Sequence, residues 1–92
     1  MSFRIRMAHI RIKKHLRRMP KSDVERIKKT IAALAREPVP PGAILLAKDI
    51  YRIRVGDYRV IYKVFFAEKV ILIGRIVRRN EKTYKDFKDL FG

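Results

Sequence analysis

One stretch between residues 50 and 66, IYRIRVGDYRVIYKVFF, constrains the fold of this chain more than any other. Apolar and polar residues alternate on both sides of Gly56-Asp57, and such alternation predicts two half-buried strands. A two-residue connection with glycine at its first position closes a tight β-hairpin, which sets the register of both strands. The predicted register brings apolar pairs together on one face: Val55 with Tyr58, Ile53 with Val60, and Tyr51 with Tyr62.

The opposite face of the same hairpin is basic. The register places Arg54 directly across from Arg59, with Arg52 and Lys63 further along the two strands. Like charges that face each other across a strand pair destabilise it, so we expect a sheet that carries them to use them. A row of guanidinium groups on rigid strands predicts a binding site for an anion. The alternative is a solvated basic face on a protein that is basic throughout.

The charge balance of the whole chain points to an anionic partner. The 92 residues contain 24 Lys and Arg against 9 Asp and Glu, which gives a net charge of +15. Such an excess favours nucleic acid, an anionic membrane or an acidic protein as the partner. Because the positive charge is spread along the sequence, we expect a folded basic domain and not a disordered arm.

Residue usage removes several classes of site and location. The chain has no Cys and only two His, so disulfides, a cysteine nucleophile, Cys-based zinc sites and a His-rich metal site are excluded. We expect no metal ion and no small-molecule cofactor. No stretch approaches the ~20 apolar residues of a membrane span, and the N-terminus lacks a signal-peptide pattern, so we expect a cytoplasmic protein with no membrane partner. Gln is absent and Asn80 is the only Asn, which favours a thermophilic source.

The N-terminal half predicts one strand followed by two helices. Residues 2–7 alternate as in a strand, and apolar residues then recur at helical spacing until Pro20 ends the first helix. Ser22 and Glu25 have the spacing of a capping box, which predicts that Ser22 caps a second helix. That helix is expected to run to about Arg36 and to bury an apolar stripe: Val24, Ile27, Ile31 and Leu34.

The remaining chain completes the predicted sheet. Residues 43–47 are apolar and form a short strand or pack the loop, while residues 70–77 predict a strand that is apolar on both faces. In the simplest register Gly74 lies on the basic face and leaves room for a ligand, and the alternative is a packing glycine. Residues 86–92 have the spacing of a short helix. The predicted fold is α+β in one domain over residues 1–92: an N-terminal strand and a helical hairpin packed on a twisted antiparallel sheet of about four strands, with a short C-terminal helix or tail.

The hairpin and the segment after the last strand resemble the RelE/ParE toxin superfamily. Residues 51–62, YRIRVGDYRVIY, resemble the signature hairpin of that superfamily, and Arg79 followed by Tyr84 is similar to its C-terminal pattern. The chain length, the order of elements and the Pro20 corner between the helices also agree, so the resemblance covers nearly the whole chain. The RelE-like branch implies the RelE-like fold and a toxin of a type II toxin-antitoxin system.

The resemblance also implies an activity, partners and site residues. RelE-like toxins are endoribonucleases, or mRNA interferases, that inhibit translation by cutting mRNA in the ribosomal A site. The implied partners are therefore mRNA, the ribosome and an acidic antitoxin protein that holds the toxin inactive. The implied site combines arginines at the reacting phosphate with a tyrosine that orients a base: Arg52, Arg54, Arg59, Arg79 and Tyr84. Continued strand alternation would aim Arg78 at the basic face, whereas the motif assigns Arg79.

The identity of the general base stays open. The implied reaction is attack of a ribose 2′-OH on the adjacent phosphate, which requires a proton acceptor as well as charge stabilisation. Arg52 and Arg54 stand where well-known members carry lysines, and arginine is effectively never deprotonated. Either electrostatics and substrate alignment carry the catalysis, or a carboxylate such as Glu81 or Asp49 acts as the base.

Two other functions fit the same sequence. The ParE branch shares the fold but inhibits DNA gyrase and lacks the ribonuclease residues, so Arg59, Arg79 and Tyr84 argue against it. A non-catalytic RNA-binding module would keep the positive charge and the aromatic residues without cleaving RNA. Because a shared fold does not decide between these functions, the choice of the ribonuclease rests on the site residues.

Overall fold

A computed structural model describes residues 2–78 of the chain, which form two helices and five strands. In chain order these are β1 (Arg4–Met7), α1 (Ile10–Arg18), α2 (Lys21–Leu34), β2 (Ile44–Ala47), β3 (Ile50–Val55), β4 (Tyr58–Phe65) and β5 (Val70–Arg78). The strands make one sheet in the order β1-β5-β4-β3-β2. The α+β architecture predicted from the sequence is confirmed. The helix predicted over residues 86–92 lies outside the described residues.

The central hairpin, β3 and β4, has the register that its turn predicts. Gly56 has a φ of +58° whereas Asp57 does not have a positive φ, which is the pattern of a type II′ turn with glycine at its first position. A Cβ at Gly56 would lie 3.3 Å from Nη1 of Arg26, so the turn packs closely against α2. The Cα partners across the two strands are those predicted: Tyr51 with Tyr62, Ile53 with Val60, Arg54 with Arg59, and Val55 with Tyr58.

The prediction of an antiparallel sheet is wrong for one strand pair: the sheet is mixed, because β1 runs parallel to β5. The pairs β2–β3, β3–β4 and β4–β5 are antiparallel, as expected for consecutive strands joined by short turns. Two helices and three strands separate β1 from β5 in the chain, so no local pattern in the sequence marks their pairing. Residues 44–47 form β2 at the other edge, which brings the sheet to five strands where about four were predicted.

Both helices pack on one face of the sheet and bury the main core there. The predicted apolar stripe of α2 is confirmed, since Ile27, Ile31 and Leu34 are buried and Val24 packs against the core from a partly buried position. The three central strands contribute the residues that alternate toward the helices: Val55, Tyr58, Val60, Tyr62, Val64, Ile71, Ile73 and Ile76. Because α1 and α2 both occupy this face, neither of them covers the opposite face of the sheet.

The capping box predicted at Ser22 is wrong. Pro20 is the N-cap residue of α2, and its carbonyl accepts hydrogen bonds from the backbone N–H groups of Asp23 and Val24, both at 3.1 Å. No side chain makes a capping hydrogen bond at this helix terminus. An N-cap residue needs an extended backbone, and Pro20 has it with a ψ of 142°, whereas Ser22 is already inside the helix. The proline corner therefore starts the helix before the serine.

Candidate functional site

Three arginines of the central hairpin meet at one cleft on the sheet face opposite the helices. Arg54 on β3 is the Cα partner of Arg59 on β4, and Arg52 lies two residues before Arg54 on the same face. Together with Gly42 and Ile44, these residues line a concavity with a volume of about 270 Å³. We call this concavity the arginine cleft. The structure thus brings together the three hairpin arginines that were predicted from the sequence.

The electrostatic character of the arginine cleft follows from its lining. Arg54 is exposed, whereas Arg52 and Arg59 are half-buried and their Nε atoms are buried. A partly buried charge is screened less by water, so its field acts more strongly on a nearby ligand. No carboxylate is among the described residues that line the cleft. The cleft therefore presents a positive surface whose donors match the oxygens of a phosphate.

A β-bulge in β5 decides which further arginine shares this face. Ile61 on β4 pairs with Arg75, whereas the next residue, Tyr62, pairs with Ile73, so Gly74 is the extra residue. Ile61 alternates away from the helices and lies outside the core cluster. By this pairing Arg75 belongs to the side of the sheet that carries the arginine cleft, although it lines a cleft beside α1 and not the arginine cleft itself. Reasoning from the sequence missed Arg75, because alternation counted along β5 does not detect an inserted residue.

The bulge also corrects two expectations that rested on simple alternation. Arg78 pairs with Tyr58, and its guanidinium carbon lies 6.0 Å from the centroid of the Tyr58 ring, so alternation does not aim Arg78 at the arginine face. Gly74 is buried and lines a separate cleft of about 320 Å³ beside α1, together with Arg75, His9 and His15. The simple register that placed Gly74 on the basic face is therefore wrong.

The other candidate residues lie apart from the cleft or beyond the described range. Asp49 is in the turn between β2 and β3 with a φ of +61°, and its carbonyl accepts a hydrogen bond from the Val64 N–H at 2.8 Å. It does not line the arginine cleft. Lys63 pairs with Ile50 further along the hairpin, on the same face as the arginines. Three candidates lie outside the described residues: Arg79, Glu81 and Tyr84.

Behind the cleft, Tyr62 ties the sheet to the loop that reaches the cleft wall. Its hydroxyl donates a hydrogen bond to the Pro38 carbonyl at 2.7 Å, and its ring stacks on Tyr51 with the centroids 5.8 Å apart. Burial raises the pKa of Tyr62 well above its ordinary value, and the neighbouring Tyr51 adds to the rise, so the hydroxyl keeps its proton and remains a donor. The loop continues from Pro38 to Gly42 and Ile44 in the cleft wall. The sequence carried no signal for this hydrogen bond.

The described site offers guanidinium groups and not metal ligands. Within residues 2–78, no group of three or more His, Cys, Asp or Glu side chains is placed to hold a metal ion. In the described part of the chain, neither α1 nor α2 has the length and apolar character that crossing a bilayer requires. The chemistry that the arginine cleft supports is therefore the binding of an anion by hydrogen bonds and charge.

Comparison with known proteins identifies the family. A family model described as the ParE toxin of type II toxin-antitoxin systems matches residues 8–83, a range that includes both helices and strands β2 to β5. The chain belongs to the RelE/ParE toxin family. Membership in the RelE/ParE family makes it a toxin of a type II toxin-antitoxin system.

Two archaeal relatives place this RelE/ParE toxin on the RelE-like side of the family. A Methanocaldococcus jannaschii protein that bears the name RelE1 is 32% identical over 83 residues, which are 85% of this chain and 91% of that protein. A chain in the archaeal RelE–RelB complex from Pyrococcus horikoshii OT3 is 34% identical with a TM-score of 0.76, over 88% of this chain and 99% of that chain. The isolated E. coli RelE toxin, at 18% identity, shares the fold with a TM-score of 0.73 over 97% of this chain and 96% of that one. The resemblance stated from the sequence is confirmed.

Proposed function

We propose that this RelE-family toxin is an endoribonuclease that stops translation by cleaving mRNA on the ribosome. The observation that carries the proposal is the pairing of Arg54 with Arg59, beside Arg52, in one cleft. Opposed like charges weaken a strand pair, whereas a phosphate between guanidinium groups is held by several charge-assisted hydrogen bonds. The net charge of +15 adds a long-range attraction for RNA.

The proposed reaction is an intramolecular transesterification, in which a ribose 2′-oxygen replaces the 5′-oxygen of the next nucleotide at the phosphorus between them. The 2′-oxygen forms a bond to phosphorus while the bond from phosphorus to the 5′-oxygen breaks. One product then carries a 2′,3′-cyclic phosphate and the other a 5′-hydroxyl. Negative charge on the phosphate oxygens grows in the transition state, so guanidinium groups held on a rigid sheet lower the barrier. The 2′-OH gives its proton to a base, and the leaving 5′-oxygen takes one up.

Proton transfer is assigned to groups other than the hairpin arginines, because arginine stays protonated. Asp49 lies in the turn before β3 with a φ of +61°, and it is not among the residues that line the arginine cleft. Glu81 is therefore the stronger of the two carboxylate candidates. Arg79 adds a further phosphate-binding group to the proposed site, and Tyr84 orients a base. Charge stabilisation and alignment of the phosphate are the contribution of the three hairpin arginines.

An acidic antitoxin is the proposed partner that controls the activity. The similar chain from Pyrococcus horikoshii OT3 was found in a complex with RelB. This similarity supports an antitoxin for the present chain as well. We propose that a neighbour-encoded acidic protein covers the arginine cleft or displaces Tyr84, and that its binding competes with RNA. Opposite charges on the two proteins speed their association and disfavour wrong partners. The proposed site of action is the cytoplasm, where mRNA and ribosomes meet.

A cell-free translation reaction tests the proposed activity. The purified chain is expected to arrest protein synthesis and to leave mRNA fragments with 5′-hydroxyl ends, which a polynucleotide kinase labels without prior dephosphorylation. Arg59→Ala is expected to lower the cleavage rate by about 100-fold or more, the scale of removing one donor to the reacting oxygens. Arg36→Ala removes an exposed arginine just after α2 and serves as the matched control. RNA binding without any cleavage would support the non-catalytic RNA-binding module instead.

The ParE description of the matched family model favours a second candidate function. A ParE-like toxin would inhibit DNA gyrase, and a supercoiling assay with purified gyrase measures this directly. We expect no inhibition by the chain at concentrations that arrest translation. Inhibition of gyrase without mRNA cleavage, unaffected by Arg59→Ala, would replace the ribonuclease proposal.

A further inference from the structure

The arginine cleft has an apolar wall that phosphate binding does not explain. Ile44 on β2 is the Cα partner of Arg52 on β3, so both side chains lie on the face away from the helices. Ile44 lines the cleft beside the arginines, and 46% of its surface is exposed. It is the one apolar side chain among the described residues that line the cleft. A site for phosphate alone has no use for an exposed aliphatic group.

The neighbouring residue provides an internal comparison. Leu45 is the Cα partner of Tyr51, so it alternates toward the helix-bearing side of the sheet, and 60% of its surface is exposed. Strand β2 therefore carries two adjacent exposed aliphatic residues on opposite faces. Ile44 lines the arginine cleft and Leu45 does not. Exposure is common to both residues, and only the position beside the arginines distinguishes Ile44.

We propose that Ile44 contacts the nucleobase next to the phosphate that the arginines bind, so that the cleft takes one nucleotide of RNA. This inference rests on the proposed function. A phosphate in single-stranded RNA has a nucleotide base on each side; proteins stack unstacked bases on aromatic rings or guanidinium planes, and they also hold extruded bases between aromatic or apolar side chains. The cleft volume of about 270 Å³ is slightly below the range of about 300–1,000 Å³ for drug-sized ligands, which suits one base-sized group.

The backbone beside Ile44 keeps that side of the cleft open. Gly42 has a φ of +94°, in the left-handed region that favours glycine, and nothing lies within 4 Å of the position that a Cβ would occupy. The hydrogen bond from the Tyr62 hydroxyl to the Pro38 carbonyl holds the start of this loop. Strand β2 is the edge strand of the described sheet, so an RNA strand that leaves the cleft past Ile44 meets no further strand.

Equilibrium binding to two matched oligomers tests the inference. One is a short single-stranded RNA with 2′-fluoro sugars, which lacks the attacking hydroxyl, and the other has the same sugar-phosphate backbone without bases. Ile44→Ala is expected to weaken binding of the base-carrying oligomer by about four- to fifteenfold, the scale of losing one or two buried methylene contacts, and to leave the abasic oligomer unaffected. Leu45→Ala is expected to change neither affinity. Ile44→Thr keeps the β-branched shape that suits a strand and is expected to show the same selective loss.

Each result bears on one of the two proposals. An equal loss on both oligomers, or no loss on either, with Ile44→Ala and Ile44→Thr would overturn the base contact. A loss for Leu45→Ala as large as that for Ile44→Ala would overturn it as well, because edge-strand stability would then be the cause. Arg59→Ala is expected to weaken binding of both oligomers. If Arg59→Ala changes neither affinity, or if the unmodified chain binds neither oligomer, the proposed phosphate site is wrong. The base contact at Ile44 is then wrong as well, because it depends on that site.

Discussion

Arg54 and Arg59 are direct Cα partners across the central hairpin, which places two permanent positive charges at opposed positions of one sheet. The two strands gain apolar contacts on their helix-bearing face, but on the other face this pair opposes their association. An anion bound between the guanidinium groups replaces repulsion by two attractions. Folding stability and ligand binding therefore make opposite demands on the same pair of residues.

Removing one member of this pair is expected to stabilise the fold while it weakens the activity. Arg54→Thr should raise the free energy of unfolding by about 0.2–1 kcal/mol, since it removes the opposed charge and introduces a β-branched residue. It should also lower the rate of mRNA cleavage. Urea unfolding and the cleavage assay measure the two effects. Arg4→Thr is the matched control, because Arg4 is an exposed strand arginine whose partner is Val70; a clear loss of stability in Arg54→Thr alone would contradict the account of the pair.

Arg75 and Arg78 form a second matched pair of variants, because they are three residues apart on β5 and alternate to opposite faces of the sheet, and the bulge at Gly74 decides which face each of them takes. Arg75→Ala should weaken RNA binding across different sequences and lower the slope of log affinity against log salt by about 0.7, the value for one contact to single-stranded nucleic acid. Arg78→Ala should leave this slope unchanged. It should cost about 0.5–1 kcal/mol of stability through the lost contact with the Tyr58 ring. RNA binding measured at a series of salt concentrations gives the slope for each variant. A lower slope for Arg78→Ala and an unchanged slope for Arg75→Ala would contradict the assignment of the two residues to their faces.

Tyr62→Phe is expected to destabilise the fold at neutral pH. The variant loses the hydrogen bond to the Pro38 carbonyl and leaves that acceptor without the hydroxyl, which costs about 1–2 kcal/mol. Chemical unfolding of both proteins measures the difference. Tyr51→Phe is the natural control, because Tyr51 stacks on the same ring from a less buried position. Equal stability of Tyr62→Phe and the unmodified chain would show that the bond contributes nothing to the fold.

The same tyrosine predicts a specific loss of stability at high pH. Burial raises the pKa of Tyr62 in the folded chain above the value of about 10 for an unfolded tyrosine. The stabilisation that follows from this shift is complete below about pH 10 and is lost as the pH rises from there toward the folded-state pKa. The stability difference between the unmodified chain and Tyr62→Phe should therefore shrink above about pH 10. A constant difference at all pH values would exclude the linkage.

Gly56→Ala is expected to weaken the hairpin that organises the chain. An alanine at a φ of +58° is strained by about 1–2 kcal/mol, and its Cβ would also press on the guanidinium of Arg26 at 3.3 Å. Thermal unfolding should show a lower midpoint than for the unmodified chain. Gly42→Ala separates backbone strain from the contact with Arg26, since Gly42 has a φ of +94° but open space around its Cβ position. A smaller loss for Gly42→Ala than for Gly56→Ala is the expected order.

Competition between RNA and the antitoxin is expected if both use the arginine cleft. Titration of the purified neighbour-encoded protein against the chain bound to the 2′-fluoro oligomer should release the oligomer in proportion to complex formation. The Arg54→Thr chain should bind both the oligomer and the antitoxin more weakly, because both would use the Arg54 guanidinium in the cleft. A ternary complex in which the oligomer stays bound would place the antitoxin elsewhere on the toxin surface.

The hairpin, its arginine pair and the stripe of α2 could be predicted from the sequence because each depends on neighbours in the chain. A two-residue turn leaves one register open to the strands, and alternation then assigns Arg54 and Arg59 to the same face. The spacing of Ile27, Ile31 and Leu34 needs only the helical period to define a buried stripe. The resemblance to the family rests on the same local signals.

The rest was decided by contacts between residues that are far apart in the chain. The parallel pairing of β1 with β5 satisfies backbone groups of distant strands, and the bulge at Gly74 inserts one residue that no local pattern reveals. That single insertion moves Arg75 onto the arginine face and Arg78 off it. Likewise, Ile44 lies beside Arg52 only because β2 closes the edge of the sheet. Turn chemistry and periodicity determine which elements form, whereas side-chain convergence into a cleft depends on register shifts and edge pairings that arise only when the whole sheet assembles.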